Sequence, residues 1–177
     1  CIAARSAAHP DYPGMTIAEA LEHEQPHLMP VPTPFDGYIE APARVSSTCL
    51  VTAARNRYSV PCAYAGHRVS VRLYPERVVV VADTEIVAEH ARASDRDHVV
   101  YDWQHYVPLI ERKPGALRNG APFNELPEPL KRLSRALLRR DGGDRVMAQV
   151  LAAVPHHGVE AVLVAVELVL ESGRPSA

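Results

Sequence analysis

The chain has 177 residues, 47% of them hydrophobic and 6% aromatic, with 19 Lys and Arg against 21 Asp and Glu. That composition is ordinary for a globular protein and long enough to bury a core. The closest approach to a spanning run, 159–170, is interrupted by Glu160 and Glu167 and falls short of the roughly 18 residues a spanning helix needs, so membrane insertion is not expected.

The near-neutral total hides a segregation of charge. Residues 1–43 carry one cation against six acids, residues 44–118 eleven against eight, and residues 119–177 seven of each. The basic excess of the middle is small, so clustering matters more than net charge for any anionic partner. Sixteen prolines favour short elements joined by stiff connectors.

In chain order, Ile2 to Ala8 is Ala-rich and predicts a helix, and His9 to Gly14, with two prolines and a glycine, predicts a loop. Thr16, with Glu19 three residues on, predicts an N-cap and a helix through Glu24. Met29 to Pro34 alternates proline with other residues and predicts an extended linker. From Asp36 the pattern turns to short strands: Arg44 to Thr52, Arg57 to Pro61, Val69 to Tyr74, Arg77 to Val81 and Glu85 to His90. Turns are expected at Tyr64 to His67 and at Asp83-Thr84. Five or six antiparallel strands in about 55 residues must hide their edges, and a small closed or nearly closed β-barrel does so economically. A short helix is expected from Val107 to Glu111, then three more over 129–140, 144–154 and 159–170. Asp141-Gly142-Gly143 and Pro155 to Gly158 separate these three, and 173–177 should fray. The fold class is therefore α+β: a β-barrel over 36–100 between an N-terminal helical segment (1–28, with linker 29–35) and a helical tail (126–177), joined by a helix and Pro/Gly-rich basic connector (101–125).

Little here carries catalytic chemistry. His23-Glu24-Gln25-Pro26-His27 matches the H-E-x-x-H zinc spelling, but Pro26 breaks the helix that would align both imidazoles. His156 and His157 are adjacent in a loop and chelate poorly, so no metal site is expected. Cys1, Cys49 and Cys62 are odd in number and form no C-x-x-C pair, which fits incidental thiols in a reducing, cytoplasmic setting. No charged-then-apolar leader follows Cys1, so nothing reads as a signal peptide, and the chain reads as a piece of something longer.

The basic residues are more informative. Arg55 and Arg57 flank Asn56 at a turn, and Arg68 and Arg72 share one face of a strand, where their guanidinium groups suit phosphate oxygens. The competing reading is a solvated face with ion pairs to Glu76, Asp83 and Glu85. Arg112, Lys113 and Arg118 lie in the Gly- and Pro-punctuated run 112–123, a contact surface more than a catalytic pocket. Trp103 and Tyr106 are expected in the core.

Taken in order, Phe35-Asp36-Gly37-Tyr38, Arg44-Val45-Ser46-Ser47-Thr48, Asn56 to Pro61, Tyr64-Ala65-Gly66, Tyr101 to Tyr106 and Arg112 to Phe123 resemble the C-terminal region of IstA-type insertion-sequence transposases. These belong to the retroviral-integrase-like, Asp-Asp-Glu group. The resemblance implies a part in DNA transposition and integration. Residues 1–28 would close a catalytic core whose three carboxylates, and the divalent metal they hold (Mg), lie upstream. This chain would then hold no cofactor, have no catalytic residue and be inert alone. Its implied partners are DNA, other transposase subunits and an AAA+ helper ATPase. Arg55, Arg57, Arg68, Arg72, Arg112, Lys113 and Arg118 are the expected DNA contacts. The alternative is a protein-interaction module in which the helix over 159–170 docks the helper ATPase or another subunit.

Overall fold

The computed structural model describes residues 4–30, 33, 35–118 and 120–172, which fall into two compact units, 1–36 and 37–177. Val31, Pro32 and Pro34 of the expected linker, Asn119 of the basic connector and the 173–177 tail lie outside the described residues.

In the first unit, helix α1 (Ile17–Glu24) starts at the expected cap. Thr16 Oγ1 accepts from the Glu19 N–H at 3.2 Å, and Glu19 Oε2 accepts from the Thr16 N–H at 2.7 Å. The Thr16 N–H, and then the Thr16 hydroxyl, which donates to the same Oε2 at 2.9 Å, hold the Glu19 carboxyl below its ordinary range. The helix stops at Glu24, and Pro26 sits in a 3₁₀ turn over Gln25–His27, so the two histidines of the zinc-like spelling do not share an α-helical face. The helix expected over 2–8 is not formed in its described part, residues 4–8. There the chain turns, and Ala8 bridges Thr16 in antiparallel fashion. The cause is competition for hydrogen bonds: the first N–H groups of α1 lack partners within the helix, and Ile17 and Ala18 donate instead to the carbonyls of Ala7 and Arg5, both at 3.0 Å.

Among its described residues the second unit holds seven strands: β1 (Ile39–Arg44), β2 (Leu50–Ala53), β3 (Asn56–Ser59), β4 (Arg68–Leu73), β5 (Arg77–Ala82), β6 (Glu85–Ala91) and β7 (Val99–Val100). The α+β class holds, but no closed barrel is found among the described residues. The strands make two sheets, one of order β1-β4-β5-β6 and one of order β2-β3-β7. The expected strand over 44–52 is broken at Ser46 to Cys49, where Cys49 takes φ +61° and its N–H returns to the Ser46 carbonyl; that turn separates the sheets. Nor is pairing antiparallel throughout, because β7 joins β3 in parallel. The two sheets share one apolar core of Val45, Val51, Tyr58, Val60, Val69, Val71, Val78 and Val80.

Strand β1 has no counterpart in the expected elements because Pro42 interrupts it. As an edge strand it loses nothing, since proline's missing donor can face away from the ladder. The β5–β6 hairpin turns as expected at Asp83-Thr84, with φ +49° and +73°. A bulge then shifts the register, Val80 facing Ala88 but Val81 facing Ile86. The extra residue, Val87, reverses which side Ile86 faces and leaves it 61% exposed while Ala88 and His90 point inward.

Beyond β7 the chain is helical: α2 (Val107–Arg112), α3 (Glu128–Leu137), α4 (Gly143–Ala152), α5 (Val154–His157) and α6 (Val159–Glu171). The expected loop at 155–158 is mostly the short helix α5, which Pro155 can enter because the first turn needs no N–H donor. Ile110, Leu130, Met147 and Leu151 are completely buried at the centre of this second core, which also takes in Trp103 and Tyr106 as expected. Helix α6 is apolar on nearly every side; Val162 and Val166 are buried while Val164 and Leu168 are exposed. Among the described residues no helix is long and apolar enough to cross a membrane.

Candidate nucleic-acid interface

Strand β4 sends Arg68, Ser70 and Arg72 to one face, as their spacing of two requires. The antiparallel register sets them opposite Arg44, Pro42 and Glu40 of β1, so the expected row of guanidinium groups divides. At one end Glu40 Oε1 accepts from Ser70 Oγ at 2.7 Å and from Arg72 Nε at 3.2 Å. The serine bond, then the arginine bond, draw the Glu40 carboxyl below its ordinary range, and the same contact raises Arg72. Arg72 also lies 4.9 Å from the centre of the Tyr38 ring. Its charge is thus answered within the fold, by Glu40 and not by the acids the sequence offered as partners.

At the other end Arg68 faces Arg44, and neither makes an ion pair among the described residues. Arg44 Nε donates to the Gly66 carbonyl at 3.0 Å, which holds its guanidinium at the rim of a shallow cleft lined by Ser46, Ser47, Ala65 and Gly66. Like charges facing each other across a ladder oppose folding, and a phosphate between them would relieve the repulsion through charge-assisted bonds. Sequence reading missed Arg44; its signal was present, two residues before the Ser46-Ser47 pair, but the register that makes it Arg68's neighbour was not.

Arg55 and Arg57 are exposed on the hairpin between β2 and β3. The two-residue loop Ala54-Arg55 has φ +47° and +66°, the primed turn that suits strand twist and ordinarily takes Asn or Gly. An arginine there costs about 1 kcal/mol in backbone strain, and in return the guanidinium stands at the tip. Between the two cations, Asn56 is 1% exposed. Its Nδ2 donates to the carbonyls of Asp95 (2.7 Å) and Ala93 (3.3 Å), and its Oδ1 accepts from the His98 N–H (3.0 Å). Asn56 therefore pins the 93–98 loop, which also carries Arg96, against the hairpin.

The connector's cations are dispersed. Arg118 Nη1 donates to the Leu138 carbonyl at 3.0 Å, capping the end of α3. Lys113 is exposed just past α2. Arg112 lines a cleft of mixed polar and apolar character with Glu111, Pro114, Arg145 and Gln149, which brings Arg145, absent from the expected contacts, beside it.

A buried polar network ties the sheets to the helical part. Ser59 is fully buried; its Oγ accepts from the Asp102 N–H at 2.7 Å and lies 2.8 Å from His105 Nδ1. The direction of that bond follows the imidazole tautomer, and the other ring nitrogen, Nε2, lies 3.8 Å from Asp102 Oδ2. His90 Nε2 donates to the Ser59 carbonyl at 2.6 Å. The Ser-His-Asp order imitates a hydrolase triad, but no substrate reaches an enclosed Ser59, and the network's work is attachment. Burial lowers the His105 pKa below its ordinary 6.5, His90 adding to the effect and Asp102 opposing it. A depressed imidazole pKa contributes stability above the unfolded value and loses it as pH falls. Urea unfolding should therefore show the chain weakening as pH drops below about 6.5, with a flatter acid limb in His105→Gln.

Among the described residues no three His, Cys, Asp or Glu side chains gather in a way that could hold a metal ion. Asp83 lies in the β5–β6 turn, Asp102 caps the 3₁₀ turn Trp103–Tyr106 and Asp144 lies in the first turn of α4.

Residues 30–102, which include all seven strands, match the family model described as Mu transposase, C-terminal domain. The chain is 52% identical over 166 residues to a transposase of Aminobacter aminovorans, covering 91% of this chain and 33% of that protein. It is 49% identical over 173 residues to the transposase for insertion sequences IS1326/IS1353 of Pseudomonas aeruginosa, covering 95% and 34% respectively, and equally to that of Shigella flexneri. It thus spans about a third of the length of these curated relatives, and no solved structure matches. Identity of about one half over 91–95% of this chain, together with the match of residues 30–102 to the Mu transposase C-terminal domain, supports a C-terminal fragment of an insertion-sequence transposase.

Proposed function

We propose that this chain is a DNA-contacting and assembly part of a transposase, gripping the duplex backbone while strand cleavage and joining belong to other portions of the longer protein. The observation that carries the reading is the facing pair Arg44 and Arg68, without an acidic partner among the described residues and beside a serine-lined cleft. In this reading Arg55 and Arg57 reach the same backbone from the hairpin tip. Arg112, Lys113 and Arg118 extend contact along the connector, where Arg145 adds a cation. Arg72 contributes less, because Glu40 already satisfies it. Backbone contacts of this kind position a protein on DNA without reading sequence, which suits a portion of a transposase other than its catalytic core.

Duplex binding measured by fluorescence anisotropy tests the ranking. Arg44→Ala with Arg68→Ala should lower affinity about tenfold at low salt, and Arg72→Ala should lower it distinctly less. Equal losses, or none from the double variant, would overturn the assignment.

A further inference from the structure

The two described thiols meet. Cys49 Sγ donates to Cys62 Sγ at 3.0 Å, so closing an S–S bond of about 2.05 Å needs a contraction of only about 1 Å. Their backbones are already tied, the Val60 N–H donating to the Cys49 carbonyl at 2.9 Å. Cys49 occupies the +61° φ that ends the Ser46 to Cys49 turn, a conformation glycine or asparagine adopts more easily. Cys62 opens the 3₁₀ turn Cys62–Tyr64 that leads to Gly66. The pair therefore sits beneath both turns framing the Arg44 cleft, one supplying Ser46 and Ser47 and the other Ala65 and Gly66.

We infer that Cys49 and Cys62 form an oxidisable dithiol, a modification site that closes to an intramolecular disulfide by exchange with a small-molecule disulfide of the glutathione class. Cys49 is 5% exposed and Cys62 is partly exposed, which orders the steps. The Cys62 thiolate attacks one sulfur of oxidised glutathione and expels one glutathione thiolate. The Cys49 thiolate then attacks the Cys62 sulfur and expels the second. Two protein thiols are oxidised to one disulfide, one glutathione disulfide is reduced to two thiols, and the protons lost by the cysteines pass through water to the departing thiolates. Burial, then the neighbouring Cys49, push the Cys62 thiol up to about 12, with Arg112 opposing. The first step is consequently slow near neutrality and quickens with rising pH. Closure would staple the two turns to each other and stiffen the walls of the cleft.

The test uses the whole chain with Cys1→Ser, so that Cys49 and Cys62 are the remaining thiols. After exposure to oxidised glutathione at mildly alkaline pH, free thiols titrated in denaturant should fall from two to none. No glutathione should remain attached, and peptide mapping should show one Cys49–Cys62 cross-link. Thermal unfolding of the oxidised chain should shift upward and return on reduction. With Cys49→Ser added, glutathione should stay on Cys62. Two free thiols after exposure, or a glutathione adduct persisting on Cys62 while Cys49 is present, would overturn the inference, and neither readout depends on DNA.

Discussion

Gly143→Ala should lose about 3–5 kcal/mol of stability and lower the unfolding midpoint by about 10 °C. A Cβ added at Gly143 falls directly on the carbonyl of Leu137, the last residue of α3. That neighbour is backbone, so no side chain can swing aside, and relief requires α3 and α4 to separate. Separation would open the core around Leu130, Leu137, Met147 and Leu151, and overpacking a well-filled core is costly even without a backbone collision. Gly142 provides the comparison within the same turn. Its φ is +74°, but nothing lies within 4 Å of the place an alanine methyl would take, so Gly142→Ala should cost only about 1 kcal/mol, from backbone strain. Parallel urea titrations decide the matter: similar midpoints for the two variants would contradict the close approach of the helices.

Asn56→Ala should be the next largest effect, at about 3 kcal/mol. The substitution leaves the carbonyls of Ala93 and Asp95 and the N–H of His98 without the partner that the buried Asn56 side chain supplies. The damage should be local before it is global. The 93–98 loop is held to the β2–β3 hairpin by these bonds, by the Asp97 N–H to the Arg55 carbonyl at 3.0 Å and by the Arg57 N–H to the His98 carbonyl at 2.9 Å. Limited proteolysis should therefore cut the variant first within 93–98, and hydrogen exchange should accelerate at Arg57 and His98. A variant whose stability falls while that loop stays protected would show that Asn56 serves the core in some other way.

Local signals are legible wherever the deciding interaction lies within a few residues. The Thr16 and Glu19 capping box, the Asp83-Thr84 hairpin and helices α2, α3, α4 and α6 are all of this kind. Elements set by distant partners are not. The Ala-rich 4–8 segment has good helix propensity, yet its carbonyls are taken by the start of α1. Strand β1 looks unpromising because of Pro42 until its edge position is known, and the parallel partner β7 is only two residues long.

The same division runs through the candidate interface. Arg68 and Arg72 can be placed on one strand face from their spacing, but which of them keeps an unanswered charge depends on a strand some thirty residues earlier. Register with β1 gives Arg72 a carboxylate and Arg68 a second arginine. Likewise Ser59 and His105 meet across 46 positions, and neither the period of a strand nor a motif signals that bond. The paired thiols look incidental in the sequence because Cys49 and Cys62 are thirteen residues apart, and only the turn at Cys49 brings them together.

The most direct measurement of the central claim is the salt dependence of duplex binding. Each phosphate neutralised by an arginine releases condensed counterions, so the logarithm of affinity falls with the logarithm of salt concentration by about 0.9 per contact. The chain carrying Arg44→Ala, Arg55→Ala, Arg57→Ala and Arg68→Ala together should show a slope shallower by about 3.6 than the parent, with its thermal unfolding unchanged or slightly improved by removal of the facing cations. A parent chain whose binding does not vary with salt, or a fourfold variant that keeps the parental slope, would contradict the account.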